Sequence, residues 1–147
     1  MKIIGTVTRT ISLGAAMPEI INPEGLHDPA RFGYSHVARA SGDLVFIAGQ
    51  YASDGDGQVT SDDFAEQVER SFANLGTALA AAGVGYADVV QLRTFIVGHD
   101  EAKLGILGER IAAIWGARPP TQTLNGVAAL ALPGMLFEVD AVAVAGG

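Results

Sequence analysis

The sequence predicts an α+β fold: one mixed sheet with two helices packed on a single face. Two observations carry this prediction. Hydrophobic periodicity changes along the chain in the order ββαβαββ, with no internal repeat and no low-complexity linker. Each helical segment carries one apolar stripe, and two helices cover only one face of such a sheet. The other face is left for a partner, which oligomerisation would supply.

The elements follow in order. Residues 3–13 alternate weakly and read as an added strand or an ordered arm. Asn22-Pro-Glu-Gly-Leu-His-Asp-Pro29 is dense in turn formers and reads as an irregular loop. His36–Ala40 and Leu44–Gly49 read as strands joined by the tight turn Ser41-Gly42-Asp43. Thr60-x-x-Asp63 reads as a capping box for a helix whose stripe is Phe64, Val68, Phe72, Leu75, Leu79 and Ala82, with Gly83 as its stop. Val89–Val97 is apolar on both faces and predicts a strand buried on both sides. Lys103–Trp115 predicts a second helix, although Gly105 and Gly108 weaken it by about 1 kcal/mol each relative to alanine. After the stiff Arg118-Pro-Pro120 loop, Leu124–Leu130 and Leu136–Val144 close the chain as strands around a Pro133-Gly134 turn.

Composition bounds the function. At 147 residues the chain fits one domain with a sizeable core. A formal charge of −7 and nine scattered basic residues argue against nucleic acid, whose phosphates demand clustered Lys and Arg. The absence of cysteine removes disulfides, thiolate nucleophiles and zinc–thiolate sites. Thr6, Thr8, Arg9, Thr10 and Ser12 break any signal-peptide core, and no apolar run approaches the ~20 residues of a membrane span. A cytoplasmic protein without membrane contact is the expectation.

Apparent metal motifs are weak. Asp54-Gly-Asp-Gly57 resembles part of a calcium loop, but with Gly57 as the loop glycine, positions one and twelve fall on Ala52 and Asp63. A strand precedes it where a helix is required, so it reads as a glycine-rich turn. His27, His36 and His99 show no ligand spacing. No metal is expected. In Leu136–Val144, alternation puts Glu138 and Asp140 on one face with Leu136, Val142 and Val144. That face either meets water or lines a site, and spacing alone favours water.

From Asn22 to Ala145 the chain resembles the Rid family (RidA, YjgF/YER057c/UK114, L-PSP endoribonuclease-like). The resemblance rests on Gly33-Tyr-Ser35, Gly42-Asp-Leu-Val-Phe-Ile-Ala-Gly-Gln50, Glu66-Gln67, Asn74-Leu75, Gly83, Asp88-Val-Val90, Val127-Ala-Ala-Leu130 and Glu138-Val-Asp-Ala-Val142. It implies a chorismate-mutase-like fold over residues 21–147, an extension over residues 1–20, and a homotrimer around a central barrel with small-molecule clefts between subunits. It also implies hydrolysis of reactive imino or enamino acids with no cofactor.

Carried over by residue, the family's water-positioning glutamate is Glu138 and its tyrosine is Tyr34, which are the expected catalytic residues. The family's Ser-Gly-Gln element appears as Ala48-Gly49-Gln50. Counting back without gaps from Val127, the family's carboxylate-binding arginine is replaced by Gln122. Gln122, Thr123 and Ala48 are therefore the expected substrate-binding residues. Glutamine offers amide donors without charge, and charge-assisted bonds are roughly twice as strong as neutral ones. The expectation is thus a cleft for a small carbonyl, imine or enamine compound, with hydrolase or deaminase-like activity on a non-standard substrate. Two alternatives stand beside it: a 2-iminobutanoate/2-iminopropanoate deaminase with another carboxylate anchor, and a non-catalytic metabolite-binding or protein-protecting module.

Overall fold

A computed structural model describes residues 17–146; the arm read over residues 3–13 lies outside them. Two sheets form. The short strands β1 (Glu19–Ile21) and β2 (Val37–Arg39) pair antiparallel. The main sheet comprises β3 (Asp43–Gln50), β4 (Val89–Val97), β5 (Thr121–Val127) and β6 (Phe137–Ala145), in the order β3-β6-β4-β5. It is mixed: β6 runs antiparallel to both neighbours, and β4 and β5 run parallel. Helices α1 (Phe64–Ala81) and α2 (Glu101–Trp115) complete the fold. Parallel neighbours need a crossover connection, and α2 supplies it between β4 and β5.

The core lies between the helices and one face of the sheet. From α1 come Phe64, Val68, Phe72, Leu75 and Leu79, and from α2 Leu107 and Ile111. They meet Leu92 and Ile96 of β4 and Phe137, Val139, Ala141 and Ala143 of β6, all buried. Phe137 anchors the start of β6, with the rings of Phe64 and Phe72 at 6.0 and 5.8 Å. Buried Gln67 adds a polar tether. Its amide donates to the carbonyls of Ser61 and Gly134, both at 2.8 Å, and its Oε1 accepts from the Leu136 backbone N–H at 2.9 Å. That clasp fixes the chain two residues before Glu138.

The helix stripe from Phe64 to Leu79, the Gly83 stop (φ +75°) and the alternation along β6 match the sequence reading, whereas Ala82 lies past the end of α1 and is exposed. Several boundaries and pairings differ. Asp63, rather than Thr60, caps α1: its Oδ1 accepts from the Glu66 N–H at 3.2 Å. Asp100 caps α2, which begins two residues before Lys103. β2 pairs with β1 rather than with β3. β5 starts and ends three residues earlier than read, and pairs with β4, so Pro133-Gly134 does not close a hairpin. β4 is buried on one face only in the single chain: Leu92, Thr94 and Ile96 are buried, whereas Gln91 and Arg93 are exposed. No helix among the described residues is long and apolar enough to cross a membrane.

Candidate functional site

The sheet face away from the helices is uncovered. Leu44 and Phe46 of β3 are 62% and 73% exposed there, although water disfavours both side chains. Paired residues point to the same side of a sheet, so the register maps this face. Phe95 sits opposite Glu138, and Arg93 opposite both Asp140 and Thr123. A bulge interrupts β3 between Ile47, opposite Ala141, and Gln50, opposite Val139. Ala48 and Gly49 thus face the single residue Asp140, the two-against-one count of a β-bulge.

The bulge brings backbone against the glutamate. A Cβ on Gly49 would lie 2.3 Å from Glu138 Oε1, so only a hydrogen fits there. Glu138 is half-buried, and among the described residues its carboxylate accepts no hydrogen bond. Partial loss of water, and secondly the charge of Asp140, push its pKa above the ordinary glutamate value. Asp140 itself takes a two-pronged bond from Arg93, through Nε at 3.0 Å and through Nη2. This bonding, and then the charge attraction, hold the Arg93 guanidinium above its usual pKa. One acid is therefore neutralised by a cation, and its neighbour is left to accept or release a proton. The face that alternation gives to both acids is thus mixed: among the described residues Asp140 is ion-paired and Glu138 is not.

Of the other expected residues, Ala48 and Thr123 share the open face region with Glu138 within one chain, and Gln122 and Tyr34 do not. Gln122 lies on the helix side of β5: its Oε1 accepts from Thr94 Oγ1 at 3.0 Å, and its Nε2 donates to the Gly33 carbonyl at 3.3 Å. Thr94 is fully buried on the core face. Within one chain Gln122 and Glu138 therefore occupy opposite faces of the sheet. In its present rotamer Gln122 clasps β5 to β4 and to the 33–35 loop. Thr123, next in sequence, points to the open face opposite Arg93. Ala48 is exposed at the bulge.

Tyr34 belongs to a separate cluster. Its hydroxyl lies 2.5 Å from His27 Nε2, and its ring packs edge-on against His27 and His36. Ser35 bridges to Thr121 at the outer edge of β5, with its N–H donating to the Pro120 carbonyl at 3.1 Å. Strand spacing and rise separate the backbones there from Glu138 by roughly 15–20 Å. Gly49 stands in the sequence only as the middle of Ala48-Gly49-Gln50 and Phe95 only as a strand residue, since neither carries a reactive group. The Asp54 loop is a turn: the Gln58 and Asp56 N–H groups bond its carboxylate, both at 2.9 Å, and hold its pKa down. Among the described residues no group of three or more His, Cys, Asp or Glu is arranged to hold a metal.

A mixed sheet backed by two helices matches the α+β fold of solved Rid-family structures. The family described as Endoribonuclease L-PSP matches residues 26–145, and the chain belongs to it. It is 37% identical over 123 residues to the RutC family protein YjgH of Escherichia coli K12, covering 82% of this chain and 90% of that protein. It is 29% identical over 119 residues to the 2-iminobutanoate/2-iminopropanoate deaminase of Rattus norvegicus, covering 80% and 85%. Among solved structures it resembles YyfB of Yersinia pestis, described as a Rid-family protein of unknown function. The TM-score is 0.83 at 39% identity, and the match covers 88% of this chain and 99% of that one.

Proposed function

We propose that this chain forms a cleft between copies of itself for a small carbonyl, imine or enamine compound, in which Glu138 handles water or a proton, with imine hydrolysis as the favoured reaction. The observation that carries this is the half-buried Glu138 carboxylate, pressed against Gly49 and without a cation of its own. A carboxylate with a raised pKa is suited to take a proton from water as it attacks a C=N carbon, and to return it to the departing nitrogen. Water adds to the carbon, the C–N bond breaks, and ammonia leaves a carbonyl product. No step needs a cofactor.

Copies packing through the open face would cover Leu44 and Phe46, and a homotrimer with its sheets around a central barrel is the assembly we favour. Such an assembly is also a route for a second chain's Tyr34 to approach Glu138. With a net charge of −7, a small ligand fits better than nucleic acid. Because Arg93 is committed to Asp140, an uncharged ligand is favoured. The second reading, a 2-iminobutanoate/2-iminopropanoate deaminase, has one supporting observation: Arg93 shares the open face with Glu138 and would bind a substrate carboxylate on leaving Asp140.

The test is a coupled assay. An amino-acid oxidase generates 2-iminopropanoate in the presence of semicarbazide, and suppression of semicarbazone formation reports hydrolysis. Our reading predicts weak suppression, abolished in Glu138→Gln, and stronger hydrolysis of uncharged imines. Strong suppression that is lost in Arg93→Ala establishes the second reading instead. Saturable ligand binding with no turnover, unaffected by Glu138→Gln, contradicts both and leaves a binding module.

A further inference from the structure

Tyr34 has a neighbour that its role in the proposed cleft does not require. Tyr34 Oη and His27 Nε2 lie 2.5 Å apart, within hydrogen-bond reach. The surrounding chain holds the pair in place. His36 Nε2 lies 2.9 Å from the His27 carbonyl, and because a carbonyl only accepts, His36 carries its proton on Nε2. The His36 backbone N–H donates to Asn22 Oδ1 at 2.8 Å. On the other side Asp28 caps the turn Pro29–Phe32 by accepting from the Ala30 N–H at 3.0 Å, and Gly33 closes that turn at φ +78°. The His27 ring sits edge-on to Phe32 and His36, with centroids at 5.7 and 4.9 Å.

The chemistry of the pair gives the bond its direction. Phenol is the stronger acid of the two, and the unprotonated imidazole nitrogen is the stronger base. Neutral Tyr34 therefore donates, and Nε2 of neutral His27 accepts, which places the His27 proton on Nδ1. With its hydrogen directed at His27, the Tyr34 oxygen presents its remaining lone pair outward.

We propose that His27 is a positioning residue for Tyr34: by taking the phenol's hydrogen bond at Nε2, it makes the Tyr34 oxygen an acceptor for a ligand N–H. The ligand class this selects is one with a neutral N–H donor, such as an imine, enamine or amide. The orienting role rests on the reading that Tyr34 lines the cleft, whereas the direction of the bond does not.

The test separates the two. In ¹⁵N-labelled protein at a pH where the imidazoles are neutral, long-range ¹H–¹⁵N correlations report which ring nitrogen of each histidine is protonated. We expect His27 as the Nδ1–H tautomer, with its Nε2 resonance moving when Tyr34→Phe removes the donor and His36 unchanged. A His27 proton on Nε2, or an Nε2 resonance indifferent to Tyr34→Phe, overturns the proposal. In the uncharged-imine assay, Tyr34→Phe and His27→Phe are each expected to lower turnover about tenfold, the loss of one hydrogen bond. His27→Gln, which keeps an acceptor, recovers most of it. Full activity in His27→Phe beside a loss in Tyr34→Phe overturns the orienting role. A wild-type protein that turns over no imine while His27 shows the expected tautomer sinks the functional reading alone.

Discussion

Glu138 is set apart from Asp140 by two residues' worth of strand and one cation. Arg93 satisfies Asp140, whereas Glu138 faces Gly49, a hydrogen atom's width from its Oε1, and loses water without gaining a partner. A raised carboxylate pKa has a stability consequence of definite sign. Between the ordinary glutamate value and the folded value the native state binds more protons than the unfolded chain, so stability falls as pH rises through that window. Glu138→Gln removes the penalty. Its melting temperature should exceed wild type near neutral pH, with the gap closing below about pH 4, where both side chains are neutral. A gap that persists unchanged into acid would contradict this. Gly49→Ala tests the same contact from the other side. Its methyl meets the far end of a flexible side chain, so folding survives at modest cost while the carboxylate is displaced and turnover is lost. Thermal melting beside the imine assay distinguishes that outcome from simple unfolding.

At the scale of elements, the parts of the fold that one chain segment determines by itself were legible in the sequence. The stripe from Phe64 to Leu79 specifies α1 because its apolar spacing follows the helical period, and the alternation from Phe137 to Ala143 specifies which face of β6 is buried. What depends on two segments was not legible. The β3 bulge exists only against Asp140, and the pairing of β5 with β4 rather than β6 depends on α2 crossing between them. The face that Gln122 takes has the same origin. A count carried back from Val127 finds a position but not a face, since successive strand residues point to opposite sides of the sheet. Thr123, not Gln122, is on the face of Glu138. The helix start carries a checkable difference too. Asp63→Ala should cost about 1 kcal/mol in urea denaturation as an N-cap. Thr60→Ala should cost less, since the Thr60 hydroxyl reaches only the Ala52 carbonyl, at 3.2 Å. Equal losses would return the cap to Thr60.

At the scale of the molecule, one sheet face is sealed by helices and the other presents Leu44 and Phe46 to water. If copies pack through that face, Phe46→Glu should lower the sedimentation coefficient to that of a single chain while circular dichroism stays unchanged, because the side chain has no part in the core. An assembly untouched by this change would place the interface elsewhere. The same packing would withdraw Glu138 further from water, joining the assembly to the chemistry proposed for it. The measurement closest to that chemistry is the titration of the Glu138 side-chain carboxyl by ¹³C NMR in the assembled protein, assigned by its disappearance in Glu138→Gln. The expected midpoint lies above the ordinary glutamate range. A midpoint at or below that range would mean a carboxylate comfortable in its charged form, and would contradict Glu138 as the group that exchanges a proton with the substrate.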